Sequence, residues 1–280
     1  MKLPNQIGEI VSWVSPHSVD YDDLQAAMTN AGVPLTLALD MRYSNAWRRA
    51  QHHLTEKRII RETYSDDDIM RFQFTAEYLN GQEFHYSKEC DLELDKKSGI
   101  VTCSDAVLEM RAQDLINRQM KQRNANDVTR IVQRLFRKES DLIPIRQQGG
   151  VYFVPETASD VTDKAERMLI AIRGSIRRFE ISGGGKSSTS VATSIRDVIV
   201  KMCDDCTEFV KEIDSTDEKV RTKAFANVAN AQAKLDAYRD LLCDYRGEVE
   251  GVIADVDTKV KTALGIVETP AEPASLTMGE

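Results

Sequence analysis

The rhythm of apolar and polar positions changes three times along the chain. Near the start, Ile7, Ile10, Val11 and Val14 fall at the i, i+3, i+4, i+7 spacing of one helix face, with Asn5 as a cap and Pro16 as a stop. A second helix is expected from a cap at Ser18 or Asp20 through Leu24, Ala27, Met28 and Ala31, ending at Gly32 and Pro34. Ser44 caps a predicted third helix, SNAWRRAQHHL at 44–54. The period then drops towards two. RIIRETY (58–64), IMRFQFTAEYL (69–79), EFHYSKECDLEL (83–94) and GIVTCS (99–104) read as strands, separated by the turn compositions SDDD, NGQ and DKKSG. Asn80-Gly81 is the strongest hairpin signal in the chain.

Two further helices are predicted at 105–121 and 126–139, the second turning Val128, Ile131, Val132, Leu135 and Phe136 inward. LIPIRQQGGVYFVP at 142–155 reads as a hairpin about Gly149-Gly150, and Pro144 suits an edge strand. From residue 160 the helical period returns. Val161, Ala165, Met168, Ile172, Ile176 and Phe179 predict one helix, and Val191 through Ile213 another. The steadiest pattern is Val228, Ala231, Leu235, Tyr238, Leu242, Tyr245, Val249, Val252 and Val256, which alternates steps of three and four. It predicts a single helix from about 218 to 264, roughly 70 Å long. That helix would pair with the 190–213 helix through DSTDE at 214–218, and its distal half would pack on the 160–180 helix or on a second subunit.

These elements predict an α+β fold: winged-helix-like helices with an antiparallel β-meander, then a long antiparallel helical bundle or coiled-coil-like hairpin. The expected domains are a winged-helix-like α+β domain at 1–104, a second helix-plus-hairpin module at 105–156, a helical arm at 157–265 and a disordered Pro-rich tail at 266–280.

Charge narrows the partners. The chain carries a net −8, unevenly spread. Residues 1–104 hold 11 basic and 16 acidic side chains, residues 105–154 hold 9 and 6, and residues 155–280 hold 17 and 23. Any polyanion contact must therefore be local. No apolar run approaches the ~18 residues of a membrane span, and the first residues do not read as a secretory signal. Five scattered cysteines suggest free thiols in a reducing, cytoplasmic setting.

Four motifs invite chemistry and give little. Gly185-Lys186-Ser187 has the end of a P-loop, but Glu180 stands where its first glycine belongs, so the glycines read as a helix stop before a cap at Ser187 to Thr189. Cys203 and Cys206 have only Cys243 downstream and no histidine after His85, so they read as core, not as a zinc site. His52 and His53 are adjacent on a helix and point about 100° apart. Asp66-Asp67-Asp68 reads as a solvated turn. No catalytic residue, metal, cofactor or nucleotide is expected.

The basic segments carry more. Arg48, Arg49, Gln51 and His52 lie on the 44–54 helix, with Lys57 just after it. Arg118, Lys121, Arg123, Arg130, Arg134, Arg137, Lys138 and Arg146 face only three acidic residues between 117 and 146. A helix, a second helix and a hairpin in this order match the layout of a winged helix, whose arginines reach phosphates and base edges. The bland alternative is that these are solvated faces of amphipathic helices. Val228, Leu235, Tyr238, Leu242, Tyr245, Val249, Val252 and Val256 are the expected helix-packing interface, within the chain or with a second copy.

At SNAWRRAQHHL and IPIRQQGGVYFVP the chain resembles a family of uncharacterised prokaryotic, phage and plasmid proteins, which share a similar AxRRA helix and GGVYFVP hairpin before a helical C-terminal region. The resemblance spans about residues 18–265. It implies a phage or mobile-element setting and no catalytic residues. Two function classes lead: a non-enzymatic accessory protein that binds nucleic acid, and a protein-interaction or assembly factor that uses the helical arm.

Overall fold

A computed structural model describes residues 5–55, 58–80, 83–146, 148–211 and 218–263. In chain order it runs β1 (Gln6–Val14), β2 (Ser18–Asp20), α1 (Tyr21–Ala31), α2 (Tyr43–Ala50), β3 (Arg58–Ser65), β4 (Ile69–Asn80), β5 (Glu83–Asp95) and β6 (Val101–Cys103). It continues with α3 (Ala106–Lys121), β7 (Gln122–Asn124), α4 (Ala125–Glu139), β8 (Ile143–Pro144), β9 (Tyr152–Pro155), α5 (Ser159–Ala171), β10 (Ser175–Ser182), α6 (Lys186–Lys211), α7 (Glu218–Ala237) and α8 (Arg246–Ala263). The fold is α+β with antiparallel sheets. The chain divides into two compact units, neither of them continuous in sequence: one takes residues 13–139 and 160–176, the other residues 1–12, 140–159 and 177–280.

The first unit is built on a meander in the order β3-β4-β5-β6. Register runs from Ile69 opposite Asp95 to Asn80 opposite Glu83 on β4 and β5, and sets Leu92 opposite Cys103 on β5 and β6. Period-two alternation sends Met70, Phe72, Phe74, Cys90, Leu92 and Leu94 to one face. Ala46, Trp47 and Ala50 of α2 and Leu108, Ala112 and Ile116 of α3 belong to the same core. Trp47 sits 5.0 Å from the Phe72 ring and 6.4 Å from that of Phe74. The acidic turn before β4 is an Asx turn: Asp66 Oδ1 accepts from the N–H groups of Asp68 and Ile69, each at 2.8 Å.

Helix ends in this unit follow capping chemistry. The Asp22 N–H donates to Asp20 Oδ1 at 3.0 Å, and Gly32, at φ +75°, closes α1 with its N–H on Met28 and Thr29. Asp105 caps α3 through the N–H groups of Val107 and Leu108. Ser44 is not a cap: α2 starts a residue earlier, after Arg42, without a side-chain cap. A short antiparallel pair, β2 with β7, sets Val19 opposite Arg123.

The structure corrects three expectations. Residues 6–14 form a strand and not a helix, because β1 joins the sheet β10-β1-β9-β8 and pairs antiparallel with β9, Gly8 opposite Pro155. A Cβ at Gly8 would lie 2.3 Å from the Val154 carbonyl oxygen, so only glycine allows this approach. β8, with Pro144, is an edge strand of this sheet, and Gly149 and Gly150 both take positive φ. Second, the 160–180 periodicity is interrupted. Arg173 adopts φ +64° and the Gly174 N–H donates to Leu169 O at 2.7 Å, which ends α5 and releases Ile176 and Phe179 into β10.

Third, the long helix is two helices. α7 stops at Ala237 and α8 begins at Arg246, and 3- and 4-residue hydrogen bonds between them preserve the apolar spacing: Leu241 N–H to Tyr238 O, Tyr245 N–H to Leu242 O, Val249 N–H to Tyr245 O. The break lets α8 supply the third member of a bundle in which α6, α7 and α8 all pack on one another. A continuous helix would leave that stripe bare. Two side chains anchor the turn: Tyr238 donates to Asp141 Oδ2 at 3.0 Å, and the Tyr245 hydroxyl meets Thr193 Oγ1 at 3.0 Å. The expected turns at Gly81 and 214–217 and the 266–280 tail lie outside the described residues.

Candidate nucleic-acid interface

A concentration of cationic groups lies in the meander unit, around the first half of α4. Asn124 and Asp127 form a reciprocal cap there: the Asn124 N–H donates to Asp127 Oδ2 and the Asp127 N–H to Asn124 Oδ1, both at 3.0 Å. The cap fixes the Asp127 carboxylate, and Arg49 of α2 grips it with two parallel hydrogen bonds of 2.7 and 2.8 Å. Burial alone would push the Asp127 carboxyl up. The hydrogen bonds from Arg49 and Asn124, with the charges of Arg49 and Arg123, outweigh it and hold the group below the ordinary aspartate range.

Arg123 is buried, at 4% exposure, with its guanidinium 3.7 Å above the Tyr21 ring and hydrogen bonds to the carbonyls of Met120 and Gln122. Arg134 donates to Leu37 O at 3.0 Å. Arg130, one helical turn before Arg134, is exposed. Arg49, Arg123, Arg130 and Arg134 line one polar pocket of about 110 Å³ with Asp127, Asp40, Asn45 and Ile131. Four cations against two carboxylates leave it a formal +2. Its floor is fixed by packing and hydrogen bonds, and Arg130 supplies an adjustable donor. The arrangement suits one phosphate-sized anion.

Four of the thirteen expected nucleic-acid-binding residues therefore come together, and eight others do not line the pocket. Arg48 lies 4.0 Å from Glu62. Gln51 and His52 sit in the 3-10 turn that extends α2. Arg118 pairs with Asp114 at 2.7 Å, and Lys121 is exposed at the end of α3. Arg137 and Lys138 are exposed in the last turn of α4, where cations favour the helix dipole. Arg146 belongs to the other unit. Lys57 lies outside the described residues. Sequence reasoning missed Asp127, Tyr21 and Asp40. The Asn-x-x-Asp spacing before the apolar run of α4 could have flagged Asp127 as a cap residue; the chain offers no signal for Tyr21.

The eight expected helix-packing residues all belong to the bundle core: Leu235, Tyr238, Leu242, Val249 and Val256 are buried, and Val228, Tyr245 and Val252 are partly buried against them. Cys203 and Cys206 lie in the same core. The glycine run Gly183–Gly185 follows β10 and not a helix. The Gly185 N–H, which a phosphate cradle would leave open, donates to Ser188 Oγ at 3.0 Å. Among the described residues no three metal-ligating side chains cluster, and no helix is long and apolar enough to cross a membrane.

No curated protein and no solved structure matches the chain. A family model does, over residues 6–271, and covers both units. The chain belongs to that family, DUF6744, a family of unknown function.

Proposed function

We propose that the protein is a non-enzymatic accessory protein that binds nucleic acid through its meander unit, seating a backbone phosphate at the α4 arginine pocket. The observation that carries this reading is the convergence of Arg49, Arg123, Arg130 and Arg134 from three separate chain segments on one pocket. Three of the four are held by other protein groups, so the pocket is preorganised and little side-chain order is lost on binding. With an acidic chain around it, such a site gives modest, strongly salt-dependent affinity. In the winged-helix form of the reading, α2 and the β3–β4 hairpin flank the duplex. The phage or mobile-element setting comes from the family resemblance.

The test is a gel shift on random duplex and single-stranded DNA across a salt series. Arg130→Glu is the variant of choice, because Arg130 is exposed and its loss leaves the Arg49–Asp127 pair and the Arg134–Leu37 bond in place. The expected result is weaker binding on all sequences and a shallower salt slope, by about one counterion. Unchanged binding by Arg130→Glu would overturn the reading.

One observation supports a protein-binding role, through the β4–β5 hairpin and not through the helical arm of the second reading. Tyr78, Leu79, Phe84 and Tyr86, at the far end of the β4–β5 hairpin, are each more than half exposed. Large apolar side chains grouped on a two-stranded projection suit a protein partner. A Leu79→Glu, Phe84→Glu variant that lost a partner while keeping DNA affinity would favour this reading over the first.

A further inference from the structure

Outside the arginine pocket, two thiols meet in the meander unit. Cys90 lies on β5 and Cys103 ends β6, with the two sulfurs 3.4 Å apart. The register explains the meeting. Cys103 is opposite Leu92, so it shares the sheet face of Leu92 and, two residues along, of Cys90. Their environments differ. Cys90 is buried at 3% exposure in the meander core, while Cys103 is only partly buried on the short edge strand. Among the described residues Cys203 and Cys206 are sealed in the other unit, and Cys243 is exposed.

We propose that Cys90 and Cys103 are an oxidation site: a dithiol that closes to an intramolecular disulfide in exchange with a low-molecular-weight disulfide such as oxidised glutathione. The Cys103 thiolate, partly exposed at the sheet edge, attacks one sulfur of the small disulfide, forms a mixed disulfide and releases one thiolate. The Cys90 sulfur then attacks that of Cys103, the mixed bond breaks, and the second glutathione leaves as thiolate. The two protons of the protein thiols pass to the two released thiolates. The protein loses two electrons and the small disulfide gains them. Burial first, and the neighbouring Cys103 sulfur second, push the Cys90 thiol up to about 12, so its thiolate is scarce at neutral pH. Closure draws on the Cys90 thiolate and quickens as pH rises. The bond would tie the three-residue edge strand β6, and the start of α3 just after it, to the long strand β5. The switch acts on the outer edge of the meander.

The experiment uses the full chain with Cys243→Ser, to remove intermolecular pairing, titrated along a reduced-to-oxidised glutathione series and mapped by peptide mass under non-reducing conditions. The expected product is a peptide pair joined through Cys90 and Cys103, with two thiols lost, and a midpoint of thermal unfolding raised by roughly 5–10 °C, the size for closing a loop of this length in a unit of this size. Cys90→Ser should stop at the mixed disulfide on Cys103, and Cys103→Ser should leave Cys90 unmodified. These maps need only the folded chain, so each variant is first matched to wild type by circular dichroism. Persistence of free Cys90 beside a glutathionylated Cys103 at every ratio in the wild-type pair would overturn the proposal, as would modification of Cys90 in the Cys103→Ser chain.

Discussion

The two cores are sealed in opposite ways. In the meander unit burial is concentrated: one indole, Trp47, sits against Phe72 and Phe74 and is fully buried. In the bundle unit burial is spread over a ladder of small and medium side chains, from Val191, Ile195 and Ile199 on α6 to Ala224, Ala231 and Leu235 on α7 and Val249, Ile253, Val256 and Val260 on α8. A concentrated core stakes much of its stability on one residue. A distributed core has no such residue on its helices, so its weak place is the connection that makes the third helix possible. Leu242, in the α7–α8 turn, is fully buried and stands there.

The largest effect should therefore come from the turn. Leu242→Asp buries an unpaired carboxylate and removes the side chain that holds the turn in the core, a loss on the order of 5 kcal/mol. Urea unfolding should show the bundle transition lost or shifted to low denaturant while the meander transition stays. If both transitions survive unchanged, the turn is not the weak place. Trp47→Ala is the reciprocal experiment. Removing the indole from a packed site costs about 3–5 kcal/mol and should lower the meander transition alone. A small shift would mean that Phe72 and Phe74 collapse into the space and that the core is less concentrated than its geometry indicates.

The same contrast explains what was legible in the sequence. The meander could be read strand by strand, because each strand pairs with its sequence neighbour and its turns carry their own chemistry, as in the Asp66 Asx turn. α3 and α4 were legible for the same reason: each is capped and striped locally. β1 was not. Ile7, Ile10, Val11 and Val14 fit helical spacing, and the strand that overrides it, β9, lies about 140 residues away. The β-branched content of β1, with Gly8 inside it, was the available signal. β10 was hidden by one extra turn of apparent periodicity past Gly174. The break at 238–245 was invisible, since YRDLLCDY holds no Gly or Pro and the turn keeps the 3–4 spacing. The pocket was half legible: local charge marked Arg130 and Arg134, but which other arginines join them depends on the fold. Arg49 enters through a carboxylate 78 residues away, while Arg118 and Arg146, close in sequence, do not line it.

A smaller effect tests whether the pocket is part of the meander's stability. Asp127→Ala removes both the α4 cap and the partner of Arg49, whose side chain is about one quarter exposed. The expected cost is about 1–3 kcal/mol, from a lost cap and a half-buried guanidinium left without its carboxylate. Thermal unfolding of the meander unit reads it. A neutral result would show that water replaces the carboxylate and that the pair serves only to position Arg49.

The smallest effect separates the units by pH. Asp127 has its folded pKa lowered, so its contribution is present above the unfolded value, near 3.9, and is lost as pH falls through the folded one. Glu89, lowered mainly by its hydrogen bonds from Arg58, lies in the same unit and acts in the same direction. Tyr238 in the bundle is the reverse case. Burial, then the charge of Asp141 and the hydrogen bond to it, raise the phenol above its ordinary value. Its contribution is fully present below the unfolded pKa, near 10, and declines as pH rises past that value. Acid should thus loosen the meander first, and alkali should draw on the bundle through Tyr238, while the raised Cys90 thiol gives the meander an alkaline decline of its own. Tyr238→Phe keeps the ring and removes the hydroxyl, and should cost about 1 kcal/mol at neutral pH. It should also flatten the alkaline decline of the bundle transition, because the titrating group is gone, while leaving the acid decline of the meander untouched. If the variant kept the full alkaline decline, the bundle's sensitivity would reside in the buried thiols Cys203 and Cys206, which burial also raises. Their replacement by alanine would then have to remove it.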